Sequence, residues 1–137
     1  MGYCTKDDLL TKIPADYLVD LADDDGDGQV DDTVINEAIE QASAEIDTYL
    51  GSRYSTPLSS VPKIVKKLCI DIVLYNLHLR SDKVTDAWKD TYKNAVELLK
   101  AIAKGDVTIG VEVEPESTGF KVLTREKMFG NIFEEMI

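Results

Sequence analysis

Residues 60–79 constrain the fold more than any other stretch, because their apolar side chains lie on more than one face of a helix. The segment opens with Ser60 before Val61-Pro62, and proline is favoured in the first turn of a helix. A helix that is apolar around most of its surface has to be enclosed by neighbours. The sequence therefore predicts a central helix carrying Ile64, Val65, Leu68, Cys69, Ile72, Val73, Tyr75, Leu77 and Leu79.

Two further long helices and two short ones are predicted around it. Apolar residues recur at helical spacing over residues 33–50 and 85–104, and Gly51 and Gly105 follow as stops. Thr5 and Asp8 form a capping pattern for a first short helix, and Pro14 suits the first turn of a second. The expected fold class is mainly α, a small bundle of three long and two short helices.

The pattern changes after Gly105. Val107, Ile109, Val111 and Val113 alternate with polar residues, which predicts an edge strand, and residues 120–123 could pair with it as a hairpin. We expect a helical domain over residues 1–106, followed by a strand and an extended C-terminal arm over residues 107–137.

The arm carries several large apolar side chains and one arginine. Exposing such residues has little benefit for a monomer, so we expect them to contact a partner. The alternative is that the arm folds back on its own bundle. The predicted interface residues are Phe120, Arg125, Met128, Phe129, Ile132 and Phe133.

Charge separates the chain into two parts. The net charge is −11, and residues 1–50 hold fourteen acidic and two basic side chains, so the whole imbalance lies there. Such a surface repels phosphate backbones, which argues against specific nucleic-acid binding. No apolar run is long enough for a membrane span and the N-terminus lacks a secretory pattern, so a cytosolic protein is expected.

The chain's most specific chemical signal is the aspartate loop, residues 23–32, with the sequence DDDGDGQVDD. Numbered as an EF-hand loop, its first nine positions match, because carboxylates or a carbonyl fall at the ligand positions and Gly28 at the sixth. Position twelve holds Val34 instead of the bidentate glutamate, and Asp32 could close a shorter loop. The predicted calcium ligands are Asp23, Asp25, Asp27, Gln29 through its carbonyl, Asp31 and Asp32.

An alternative interpretation is a turn between helices whose carboxylates cap the next helix and face water. Patterns typical of enzymes are missing from the sequence, which has no nucleophile motif or phosphate-binding glycine loop. His78 lies between Leu77 and Leu79, where a structural role is favoured. Cys4 and Cys69 are far apart in the sequence and are expected to be reduced thiols. We expect no catalytic activity.

Residues 21–32 followed by residues 42–54 resemble the Mu-like prophage virion protein family. Residues 3–9, the Val61-Pro62 helix entry, residues 103–105 and residues 124–128 are similar to it as well. The resemblance implies a small helical head-tail connector, also called an adaptor or head-completion protein. Such connectors would assemble as a homo-oligomeric ring beneath the portal in the virion, with a monomer in solution as the alternative, and would contact the portal and other neck or tail proteins. The implied locations are the bacterial host cytoplasm during assembly and the virion neck.

A second hypothesis comes from the aspartate loop alone. If the loop holds Ca²⁺, the chain could be a calcium-dependent interaction module in which the loop is the regulated part. The two hypotheses belong to different functional classes and are separated by a calcium titration.

Overall fold

The structure is a computed structural model that describes residues 2–110 of the 137. Within these residues the chain is helical and contains no strand, and the five predicted helices are all present. They are α1 (Lys6–Leu9), α2 (Ala15–Ala22), α3 (Asp32–Leu50), α4 (Lys63–Arg80) and α5 (Asp86–Lys104).

Helix α4 is the centre of the bundle, as the sequence predicts. It packs against each of the other four helices, and α3 and α5 also pack against each other. Ten of its eighteen residues are buried, among them the polar Asp71 and His78. The core is therefore built around one helix that has apolar residues on several faces.

Local sequence explains where several helices begin and end. Thr5 and Asp8 form the predicted capping box at α1, and Thr85 caps α5 by accepting a hydrogen bond from the Trp88 N–H. Gly105 ends α5 in the left-handed conformation with φ of 89°. Pro14 and Pro62 stand one residue before the first turn and not inside it, since α2 begins at Ala15 and α4 at Lys63.

The C-terminal strand is not supported. Residues 107–110 form no strand, because Ile109 turns into the core and donates its N–H to the Tyr54 hydroxyl at 3.4 Å. Gly110 then takes a φ of 85°, which is not an extended conformation. The remainder of the predicted strand, the hairpin and the arm lies outside the described residues, and the domain boundary after residue 106 stays a prediction.

None of the helices in the described part of the chain is both long enough and apolar enough to cross a lipid bilayer.

Candidate metal site in the aspartate loop

The aspartate loop joins the end of α2 to the start of α3. Its base is closed by the Asp31 N–H, which donates to the Ala22 carbonyl at 2.8 Å. Gly26 and Gly28 have φ angles of 75° and 82°, a backbone region that residues other than glycine rarely adopt. These two residues let the chain reverse within a few positions and bring its carboxylates to one side.

Asp23 organises the loop through its side chain. One carboxylate oxygen accepts the N–H of Gly26 at 2.9 Å and that of Asp27 at 3.3 Å, and the other accepts the N–H of Gly28 at 2.9 Å. Desolvation raises the pKa of Asp23, but the hydrogen bonds that it accepts outweigh this, and the pKa falls below its usual value. The loop therefore holds Asp23 in its charged form.

Four carboxylates converge in the loop. One oxygen each of Asp23, Asp25, Asp27 and Asp31 lies within 4.8 Å of the others. The Asp27 N–H lowers the pKa of Asp25, but the neighbouring Asp23, desolvation and Asp27 together raise it above its usual value. Like charges so close together are stabilised by a bound cation, and carboxylate oxygens are the ligands that Ca²⁺ prefers.

Asp32 does not join this group. Its carboxylate lies 3.4 Å from Lys6 Nζ, its side chain is 75% exposed, and it is not one of the four converging groups. Gln29, predicted as a ligand through its carbonyl, donates its N–H to the Asp27 carboxylate at 2.9 Å. Four of the five predicted carboxylate ligands thus come together.

Beside the loop lies an open groove of about 670 Å³ between α3 and the end of α4. Five of its eleven lining residues are acidic, namely Asp24, Asp25, Asp31, Asp32 and Glu37, and one, Arg80, is basic. The groove gives this end of the bundle a concave and strongly negative surface.

Arg80, which is not among the predicted site residues, ties the loop to α4. Its guanidinium donates to both carboxylate oxygens of Asp24, at 2.7 and 3.2 Å, and also to the Leu21 carbonyl at 3.4 Å. The sequence gives no signal for this pair, because Arg80 and Asp24 lie 56 positions apart and meet only through the packing of α4 against the loop. The predicted interface residues of the arm, from Phe120 to Phe133, lie outside the described residues.

A family profile described as "Bacteriophage Mu, Gp36" matches residues 3–123, which include every helix and the whole aspartate loop. The chain belongs to this family. The resemblance to Mu-like prophage proteins drawn from the sequence is confirmed.

Two curated relatives agree with this assignment. The chain is 34% identical over 113 residues to "Gene product J" of Escherichia phage Mu, covering 82% of this chain and 79% of that protein. It is 33% identical over 88 residues to the "Mu-like prophage FluMu protein gp36" of Haemophilus influenzae. That second match covers 64% of this chain and 61% of the Haemophilus protein, less than two thirds of its length.

Proposed function

We propose that this Gp36-family protein is a structural subunit of the virion neck, a head-tail connector that assembles as a ring beneath the portal. The observation that carries the proposal is the family match over residues 3–123, which includes the complete helical bundle. Membership of a Mu phage family supports a structural or morphogenetic role. The helical bundle supports the finer assignment, since the small connectors that the sequence resembles are helical.

The charge of the bundle suits a position around a DNA passage. Acidic groups collect on one concave surface, and the first fifty residues hold the whole charge imbalance. A negative surface repels the DNA backbone, so DNA could pass a ring of such subunits without being held. Heterologous, head-to-tail contacts between identical subunits form a closed ring when the rotation between neighbouring subunits divides evenly into a full turn.

The arm provides a candidate set of contacts in such a ring. Its interface residues follow the bundle by ten or more positions, and Phe129 and Phe133 have the bulk and apolarity of interface anchors. We propose that they dock on the neighbouring subunit or on the portal.

Purified full-length protein, alone and mixed with the portal protein of the same phage, tests the proposal by negative-stain imaging and analytical ultracentrifugation. We expect rings or portal-bound assemblies with the wild-type chain. A strict monomer that also ignores the portal would overturn the assignment.

The double variant Phe129→Ser/Phe133→Ser separates assembly from folding. Assembly should be lost while the melting temperature stays that of the wild type, because the bundle has its own core. Ring formation by this variant would show that the arm is not the docking element.

The convergence of four carboxylates favours a second candidate, a calcium-dependent interaction module. If the loop binds Ca²⁺, saturating calcium should raise the melting temperature of chelator-treated protein by mass action. The variant Asp25→Asn/Asp27→Asn should abolish the shift. Asp16→Asn/Asp20→Asn, which removes the same charge from α2 outside the group, should keep it. A flat titration up to about millimolar calcium removes this candidate, because weak loops of this type bind in that range.

A further inference from the structure

Cys4 and Cys69 are 65 positions apart, yet their sulfur atoms lie 3.2 Å from each other. Cys4 belongs to the segment before α1 and is 5% exposed, and Cys69 lies on α4 and is fully buried. The Cys4 thiol donates a hydrogen bond to the Cys69 sulfur. The sequence, in which the two residues are distant, gives no sign of this pairing.

The residue next to Cys4 holds the pair in register. Tyr3 donates its N–H to the Ser43 hydroxyl at 3.0 Å, and its own hydroxyl donates to Asp47 and accepts the Leu58 N–H at 2.9 Å. Ser43 itself lies 3.8 Å from the Cys69 sulfur. These contacts fix the N-terminal segment on α3, so the two sulfur atoms are positioned by the fold and not by their own attraction.

Cys4 borders a cavity that opens to the surface. Cys4 lines a shallow cavity of about 300 Å³ together with Gly2, Lys6 and Ile39, and Cys69 does not line it. A small reagent that arrives there meets Cys4 first, and Cys69 lies directly behind it.

The hydrogen bond between the thiols makes them chemically unequal. It lowers the pKa of Cys69 although burial raises it, and Ser43 adds to the lowering. The same hydrogen bond and burial raise the pKa of Cys4. In the reduced protein the thiolate is thus favoured at Cys69 and disfavoured at Cys4, so Cys4 has to lose its proton before it can attack a reagent.

We propose that Cys4 and Cys69 form a redox modification site, at which a small disulfide such as oxidised glutathione converts the pair to an intrachain disulfide. Cys4 loses its proton to solvent and attacks one sulfur of the small disulfide, which forms a mixed disulfide and releases one small thiolate that takes up a proton. Cys69 then attacks the Cys4 sulfur and releases the second small thiol. Two electrons pass from the protein to the reagent, and the two cysteine protons end on the two released thiols.

The geometry supports this chemistry. A disulfide needs a sulfur separation of about 2.05 Å, so the sulfur atoms have to approach by roughly 1 Å from their present 3.2 Å. The new bond would clamp the first residues of the chain to the central helix. The proposed disulfide depends only on the positions of Cys4 and Cys69 and is independent of the proposed function.

The test equilibrates the full-length wild-type chain in graded ratios of reduced and oxidised glutathione, folded and in urea. Acid quenching, alkylation with N-ethylmaleimide and mass spectrometry then count free thiols and bound glutathione. We expect one intrachain disulfide without bound glutathione, with an oxidation equilibrium constant about 100-fold higher in the folded chain than in urea. The oxidised chain should also melt at a higher temperature.

The variants Cys4→Ser and Cys69→Ser separate the roles of the two residues. Cys69→Ser should stop at a mixed disulfide on Cys4, and Cys4→Ser should stay unmodified while folded. The proposal is overturned if the folded wild type keeps two alkylatable thiols, retains glutathione, or links two chains. Equal oxidation constants in the folded and urea-treated chains overturn it as well.

Discussion

The hydroxyl of Tyr17 lies 2.8 Å from Nε2 of His78, and Nδ1 of the same ring lies 2.6 Å from the Leu74 carbonyl. Since the carbonyl can only accept, Nδ1 carries the proton, and Nε2 accepts from Tyr17. Both ring nitrogens of this fully buried histidine are thus satisfied. The arrangement joins α2 to α4 and fits the structural role predicted for His78.

Tyr17→Phe should lower the free energy of unfolding by about 1–3 kcal/mol, because it leaves a buried ring nitrogen without its donor. Urea denaturation measures the loss. Tyr75→Phe is the matched control, since Tyr75 stacks on Tyr92 but its hydroxyl makes no hydrogen bond within residues 2–110. Equal losses in the two variants would contradict a structural role for the Tyr17 hydroxyl.

Asp71 on α4 is buried and accepts from two lysines, Lys12 Nζ at 3.2 Å and Lys67 Nζ at 2.8 Å. The lysine side chains are 42% and 62% exposed, so they can return to water if the carboxylate is removed. The double variant Lys12→Met/Lys67→Met should lower the free energy of unfolding by about 3 kcal/mol, because it leaves the buried Asp71 carboxylate without a partner. Asp71→Leu should lower it by less, because the two lysines can then be solvated. The reverse order in urea denaturation would show that Asp71 is not stabilised by these partners.

Within the aspartate loop, Asp23 and Asp25 should respond to neutralisation in opposite ways. Asp23→Ala removes the acceptor of three backbone N–H groups and should lower the melting temperature in metal-free buffer. Asp25→Asn relieves like-charge repulsion and should leave it unchanged or raise it. Differential scanning calorimetry in the presence of a chelator checks the contrast.

The same two residues predict opposite pH dependence. The lowered pKa of Asp23 means that its contribution is present above the unfolded value of 3.8 and is lost as the pH falls through the folded value. The pKa of Asp25 is raised above its unfolded value of 3.8. The stability that Asp25 contributes is therefore present below pH 3.8 and is lost as the pH rises through the pKa of the folded state. Acid unfolding of Asp23→Ala should consequently be shallower than that of Asp25→Asn.

Tyr3 gives a prediction for alkaline pH. Burial, with the hydrogen bond to Asp47, raises the pKa of Tyr3 from 10.0 to about 12. The unfolded chain loses this proton first, so the stability from Tyr3 is fully present below pH 10 and is lost as the pH rises to about 12. Tyr3→Phe should be less stable than wild type by about 1–2 kcal/mol at pH 7, and the gap should narrow across that window. A stability difference that stays constant over this pH range would contradict a role for the Tyr3 hydroxyl in the hydrogen-bond network. Tyr92 does not affect the comparison. Its pKa is also raised, by the hydrogen bond to Glu45, but it is present in both proteins.

The sequence predicts well the features that depend on neighbours along the chain. Helical periodicity and turn residues such as Gly105 locate the five helices, and the carboxylates of the aspartate loop converge because they lie within nine positions. The strand prediction shows the limit of such patterns. Alternation at Val107 and Ile109 is real, but the Tyr54 hydroxyl draws Ile109 into the core, and Val107 stays 37% exposed.

Features that depend on packing were not predictable. The proximity of Cys4 to Cys69, the burial of Asp71 and the pairing of Arg80 with Asp24 each join residues more than fifty positions apart. Each depends on how α4 is oriented against its neighbours, and one sequence carries no signal for that orientation. The metal-ligand assignment was limited for the same reason, since Lys6, which lies 26 positions from Asp32, pairs with its carboxylate.

The central place of α4 also bears on the order in which the protein can fold during synthesis. α1, α2 and α3 leave the ribosome first, yet each packs against α4, which ends at Arg80. Until α4 has emerged from the ribosome, these helices lack the element against which each of them packs. The core of the bundle therefore cannot be completed before α4 has been synthesised, however early the other helices form.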